Sequence, residues 1–153
     1  MKFLVLFALS TLVVIEAHEV IQGFHFHTYF FQNNAEESRR IQEVRDLVHK
    51  EIVSGRMGSC VMESLHKEPI GPHPIGMFNT CCNVSSVGTG VSFFMQYRGS
   101  LSVLLHPLTK SEYIDHTERP FWLGQSLPLD VSDLPHERHE VDHCGHYYNT
   151  TVI

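Results

Sequence analysis

Histidine is the residue type whose abundance and placement suggest chemistry, with 12 in a chain of 153 residues. Four sit in settings that could gather them. His25 and His27 alternate with phenylalanines in FHFHTYFF, His73 lies between prolines in GPHP, and His106 closes LSVLLH before Pro107. A neutral imidazole is a ligand for borderline divalent metals and a proton acceptor near neutral pH. If residues 24–31 form a strand, His25 and His27 project from one face and Phe24 and Phe26 from the other. Each signal also has a plainer reading: aromatic packing for the HxH pair, a rigid turn for His73, a strand end for His106. Taken together the four suit Fe(II), with Mn(II) as the second choice, held by three imidazoles with the fourth as acid or base.

The elements that must position them are readable from periodicity. Residues 24–31 form the first strand, and Asn34 with Glu37 resembles a capping box that opens a helix over 35–54. In that helix Ile41, Val44, Leu47, Val48 and Ile52 share one stripe, and Gly55 can terminate it in the left-handed region. Residues 60–66 and 77–82 follow as strands, separated by a proline-rich irregular loop. Residues 87–97 form a second helix and 101–106 a fourth strand. The order βαββαβ predicts an α+β, ferredoxin-like sandwich: an antiparallel sheet with two helices on one face, in strand order four, one, three, two. We expect strand one to run parallel to strand three, which would bring all four histidines to one sheet end.

From Asp115 onward periodicity fades, and Asp115, His116 and Glu118 read as a solvated loop or as functional groups with equal justification. The division expected is a leader over 1–17, a domain over 18–130 and a loosely attached His-rich tail over 131–153. In the tail His136, His139, His143 and His146 are spaced to chelate only if the segment is helical. Cleavage after Ala17 would make His18 an N-terminal amine-imidazole brace for copper.

Lys2 followed by an apolar run over 3–15 reads as a secretory signal; at about 13 residues it is well short of the roughly 20 that span a bilayer. A secreted protein without a membrane anchor is therefore expected, and Asn83-Val84-Ser85 and Asn149-Thr150-Thr151 are potential glycosylation sequons. The formal charge of -6, with no basic cluster, argues against nucleic acid as a partner. Cys60, Cys81, Cys82 and Cys144 permit two disulfides; Cys81 and Cys82 face opposite sides of a strand, and Cys60 pairs with one of them.

The strings FHFHTYFFQNN, GPHPIGMF, LSVLLHPLT and DHTERPFWLGQSLPLD resemble, in order, the landmarks of the DOPA 4,5-dioxygenase family of the fungal pigment type, over roughly 24–130. The resemblance implies a ferredoxin-like fold, a homodimer, and extradiol cleavage of a catechol such as L-DOPA by O2 at a non-haem metal. A catechol takes two adjacent coordination positions and O2 a third, which suits three protein ligands on an octahedral ion. By position the site residues are His25, His27, His73 and His106, with Asp115 and His116 from the DHT segment. Tyr29 could line the ring pocket and Arg119 hold a substrate carboxylate, while Asp115 or Glu118 could supply a carboxylate ligand. The alternative is a secreted metal- or aromatic-ligand-binding protein on the same scaffold without turnover.

Overall fold

A computed structural model describes residues 19–141, 143 and 144. The first strand, β1 (Gly23–Phe30), forms because aromatic and β-branched residues fill a pleat buried on both faces. Asn34 then caps α1 (Ala35–Val53): its side chain accepts the backbone N–H groups of Glu36 and Glu37. Glu37 returns the favour three residues before the cap, its carboxylate accepting the Phe31 N–H at 2.6 Å. Ile41, Val44 and Val48 bury the helix stripe, and Gly55, at φ +81, ends it as expected.

The chain continues through β2 (Cys60–His66), β3 (Gly76–Asn83), a short 3-10 turn, α2 (Val87–Tyr97) and β4 (Ser102–Pro107). Within α2, Gly90 is a requirement of packing: a Cβ there would lie 2.8 Å from the Phe26 ring. The Phe26 ring in turn stacks on Phe94, so β1 and α2 close on each other without a gap. Two elements follow that periodicity does not announce, α3 (Glu112–Thr117) and the edge strand β5 (Phe121–Leu123).

The sheet order is β2-β3-β1-β4-β5, the expected ferredoxin-like arrangement extended by one edge strand. One orientation differs from expectation. Strand β1 is antiparallel to β3 as well as to β4, because β3 returns from β2 through a hairpin-like connection while the α1 crossover leaves β1 and β2 parallel. His73, just before β3, therefore starts at the Phe30 end of β1, opposite His25. It reaches the other histidines because loop 67–75 folds back over the sheet face, pinned by paired backbone bonds between Ile70 and His73.

Period-2 alternation divides the sheet chemically. One face sends Phe26, Phe30, Phe78, Val103 and Leu105 against the helices, forming the main core. The other carries the histidines and a smaller cluster of Tyr29, Met77 and Leu104 packed by Trp122, Leu127 and Leu129. Disulfides brace both faces: Cys60–Cys82 lies within the helix-side core, and Cys81–Cys144 ties the C-terminal segment to the histidine face. The described part of that segment, up to Cys144, is fastened rather than loosely attached. Asp130 N–H bonds the Pro72 carbonyl, Tyr113 N–H the Pro135 carbonyl and Arg138 N–H the Lys110 carbonyl. The leader, His18, His146 and the Asn149 sequon lie outside the described residues, whereas Asn83 is exposed at the end of β3.

Candidate metal centre

Antiparallel register places His25 directly across from His106, and His27 across from Asn79. His73 arrives from the folded-back loop and His116 from α3, where it is buried. Five imidazoles from four chain segments thus meet over one sheet face. His27 is the hub: its ring lies 5.3, 4.1, 5.1 and 6.2 Å, centroid to centroid, from His25, His73, His106 and His116. Two sets of three have ligand atoms within 4.8 Å of one another, His25, His27, His106 and His27, His73, His116, and both include His27.

Hydrogen bonds fix which nitrogens can bind a metal. His106 Nδ1 stands 2.8 Å from the Pro107 carbonyl, which can only accept, so Nδ1 carries the proton and Nε2 the lone pair. Without an ion, His27 Nε2, 3.0 Å from that lone pair, donates its proton there and leaves His27 Nδ1 bare; an ion held by both Nε2 atoms would displace that proton. His27 Nδ1 and Oδ1 of the neighbouring Asn79 are buried without a hydrogen-bond partner among the described residues. Two buried acceptors without donors cost stability as they stand, and a cation or polar group bound in the pocket that both residues line would offset that cost. His116 Nδ1 likewise donates to the Glu112 carbonyl at 2.9 Å, leaving Nε2 for a ligand. His73 Nδ1 shares a proton with the Tyr29 hydroxyl at 2.7 Å.

Burial also keeps the cluster neutral, the form a metal requires. Burial, followed by the charge of neighbouring imidazoles, pushes His25 and His73 down to about 3. The same two causes hold His27 and His106 well below the ordinary imidazole range. His116 is also lowered by burial, with the Glu112 carbonyl pulling the other way. Tyr29, its hydroxyl pushed up by burial, stays protonated. The residues fit a divalent ion with nitrogen preference.

The remaining sequence candidates are placed as follows. Asp115 borders the pocket, but both its oxygens are engaged: Oδ1 with Arg119 at 2.8 Å and Oδ2 with the Thr109 N–H, also at 2.8 Å. Glu118 is exposed, so neither carboxylate joins the imidazole sets. Arg119 is taken up by Asp115 and Glu19 and does not line the histidine pocket. Tyr29 touches the cluster through His73. In the tail, the described residues form no helix; His136 packs on the Tyr113 ring and His139 and His143 are exposed. Asn79 and Arg138, which both border the pocket, were not singled out from sequence.

Asp115 is a positioning residue for α3. Replacing it with alanine strips Arg119 and Thr109 of a buried carboxylate, and we expect a loss of about 2 kcal/mol, given the partial exposure of Arg119. Urea unfolding of the variant measures it, and a loss under about 0.5 kcal/mol would show that α3 is held by other contacts.

Fold and site together define a ferredoxin-like domain with a buried imidazole cluster able to hold a metal ion. The chain belongs to the Dopa 4,5-dioxygenase family, whose sequence model matches residues 24–133. It is 36% identical over 121 residues to the DOPA 4,5-dioxygenase of Amanita muscaria, covering 79% of this chain and 53% of that protein. To an uncharacterized 21.2 kDa protein of Botryotinia fuckeliana it is 35% identical over 118 residues, covering 72% and 62% respectively. The chain thus spans between half and two thirds of the length of these relatives. Among solved structures, a candidate dioxygenase from Nostoc punctiforme superposes with TM-score 0.64 at 30% identity, covering 73% of this chain and 90% of the other.

Proposed function

We propose that this protein opens the ring of a catechol, L-DOPA or a close analogue, with O2, as an extradiol dioxygenase dependent on a single divalent metal. The observation that carries the reading is the convergence of five imidazoles, four buried and that of His25 half-buried, beside a pocket of about 160 Å³. Apolar cavities of roughly 150 Å³ take up benzene, so the space is on the scale of one aromatic ring. Family membership and the Amanita relative point to the same substrate class. Fe(II), with Mn(II) as the alternative, would supply adjacent coordination positions and the electron exchange that lets a catechol and O2 combine.

The chain's own residues then divide the work. His25, His27 and His106 stand on β1 and β4, the stiffest elements available, and are the ligand set we favour. His73 and His116, on a loop and a short helix, are left to take catechol protons. Burial keeps them proton-free, and the negative charge of a bound catecholate would raise their proton affinity toward the working range. Tyr29 orients His73 through its hydroxyl, and the Trp122 ring stacked 5.6 Å from it backs the site against water. Secretion and a homodimer belong to the same proposal; pairing of all four cysteines supports an oxidising compartment.

The test is to load the purified protein with Fe(II) under argon, add L-DOPA or 4-methylcatechol, and admit air. We expect O2 uptake matched by a yellow ring-opened semialdehyde. Metal and catechol bound with no O2 consumed would instead support the alternative, a ligand-binding protein on this scaffold.

A further inference from the structure

The pocket over the histidines is bordered by Arg138 of the C-terminal strap, described over residues 130–141, 143 and 144, and the family match ends at residue 133. The strap is fastened at both ends and in between. Asp130 bonds the loop that carries His73, Arg138 N–H bonds the Lys110 carbonyl at 2.8 Å, and Cys144 is bonded to Cys81. Cys81 is the register partner of His25, so the disulfide sits on the sheet face beside the imidazoles. The strap delivers one side chain to the pocket wall, Arg138, the only arginine or lysine among the described residues that line it. Its guanidinium is near enough to the imidazoles to disfavour their protonation at His25 and His116.

Glu112, from α3, holds the Nε edge of Arg138, with the two side chains 18% and 31% exposed in that order. Such a partner aims a guanidinium while its five N–H donors let it serve a second oxyanion as well. We infer that Arg138 binds an anionic substituent on the ring substrate, so that the pocket prefers catechols bearing a carboxylate to uncharged ones. This rests on the catechol reading above and deepens it. It also gives the strap a purpose, because an arginine on a free-swinging segment would lose much of its contribution to ordering entropy.

The test measures binding by calorimetry without O2, on the full oxidised chain loaded with redox-inert Zn(II). The probes are 3,4-dihydroxyphenylpropionate and 4-methylcatechol. We expect the carboxylate to bind roughly ten- to a hundredfold more tightly, as for a charge-assisted hydrogen bond. Arg138→Gln should remove that preference while leaving 4-methylcatechol affinity within about twofold. Arg138→Lys should restore part of it, and Glu112→Gln, which breaks the ion pair but keeps the guanidinium, should retain it. A preference that survives Arg138→Gln, or an equal loss for both probes, overturns the assignment. So does equal binding of the two probes by the unmodified protein, in which case the catechol reading stands. If neither catechol binds, both fall together.

Discussion

His27→Ala is expected to lower divalent metal affinity at least about 100-fold and with it abolish ring cleavage. Removing only an outer partner of a metal ligand typically costs 10- to 100-fold, so loss of a ligand should reach or exceed the top of that range. His27 is the residue of choice because both three-imidazole sets contain it. The remaining histidines then separate the sets. If β1 and β4 hold the ion, His25→Ala and His106→Ala lose metal, while His73→Ala keeps it and loses turnover. If instead His73→Ala and His116→Ala lose metal and His25→Ala does not, the ligand set is the other one. Metal bound by His27→Ala at full stoichiometry and affinity would end the proposal that this cluster is the metal centre. Alanine at 27 also leaves His106 Nε2 without its partner, so unfolding should be followed alongside metal content.

How far the chain could be read without coordinates depends on the range of the interactions involved. The alternation in FHFHTYFF placed His25 and His27 opposite the core phenylalanines, because pleat geometry is local. The stripe and caps of α1 were legible for the same reason. Strand direction was not: the expected parallel pairing of β1 and β3 would have put His73 at the right end by the wrong route. Only the fold-back of loop 67–75, a tertiary event, carries it over His27. Periodicity left His116 balanced between a solvated loop and a functional group, and only the resemblance favoured it, since α3 has six residues and no side-chain cap. Asn79 did leave a trace: an amide in the middle of GMFNTCCN, on the same strand face as Met77 and Cys81, is an unexpected guest in a buried strand. The cysteines were half legible. Opposite faces for Cys81 and Cys82 were foreseeable, but which of them Cys60 would join required knowing that Cys60 faces the helices.

The same burial that prepares the imidazoles for metal should make the metal-free protein sensitive to acid. Their folded pKa values lie below the ordinary value, about 3 for His25 and His73, while the unfolded chain titrates near 6.5. Between these limits the unfolded state binds more protons, so stability is complete above about pH 6.5 and falls as pH drops toward the folded values. Each such group contributes a slope of about 1.4 kcal/mol per pH unit, and His25 and His73 alone give about 3 kcal/mol per unit. For a domain with a stability of about 5–15 kcal/mol, that is enough to unfold it within a few units. Thermal scans after chelation should show the midpoint falling steeply from pH 6.5 to pH 4. Saturating Zn(II), which binds only the folded and deprotonated cluster, should hold the midpoint up until protons outcompete it. A chelated protein whose midpoint is flat across this window would mean the imidazoles are solvated and already titrate freely. They would then lack the dry, neutral environment on which the metal site depends.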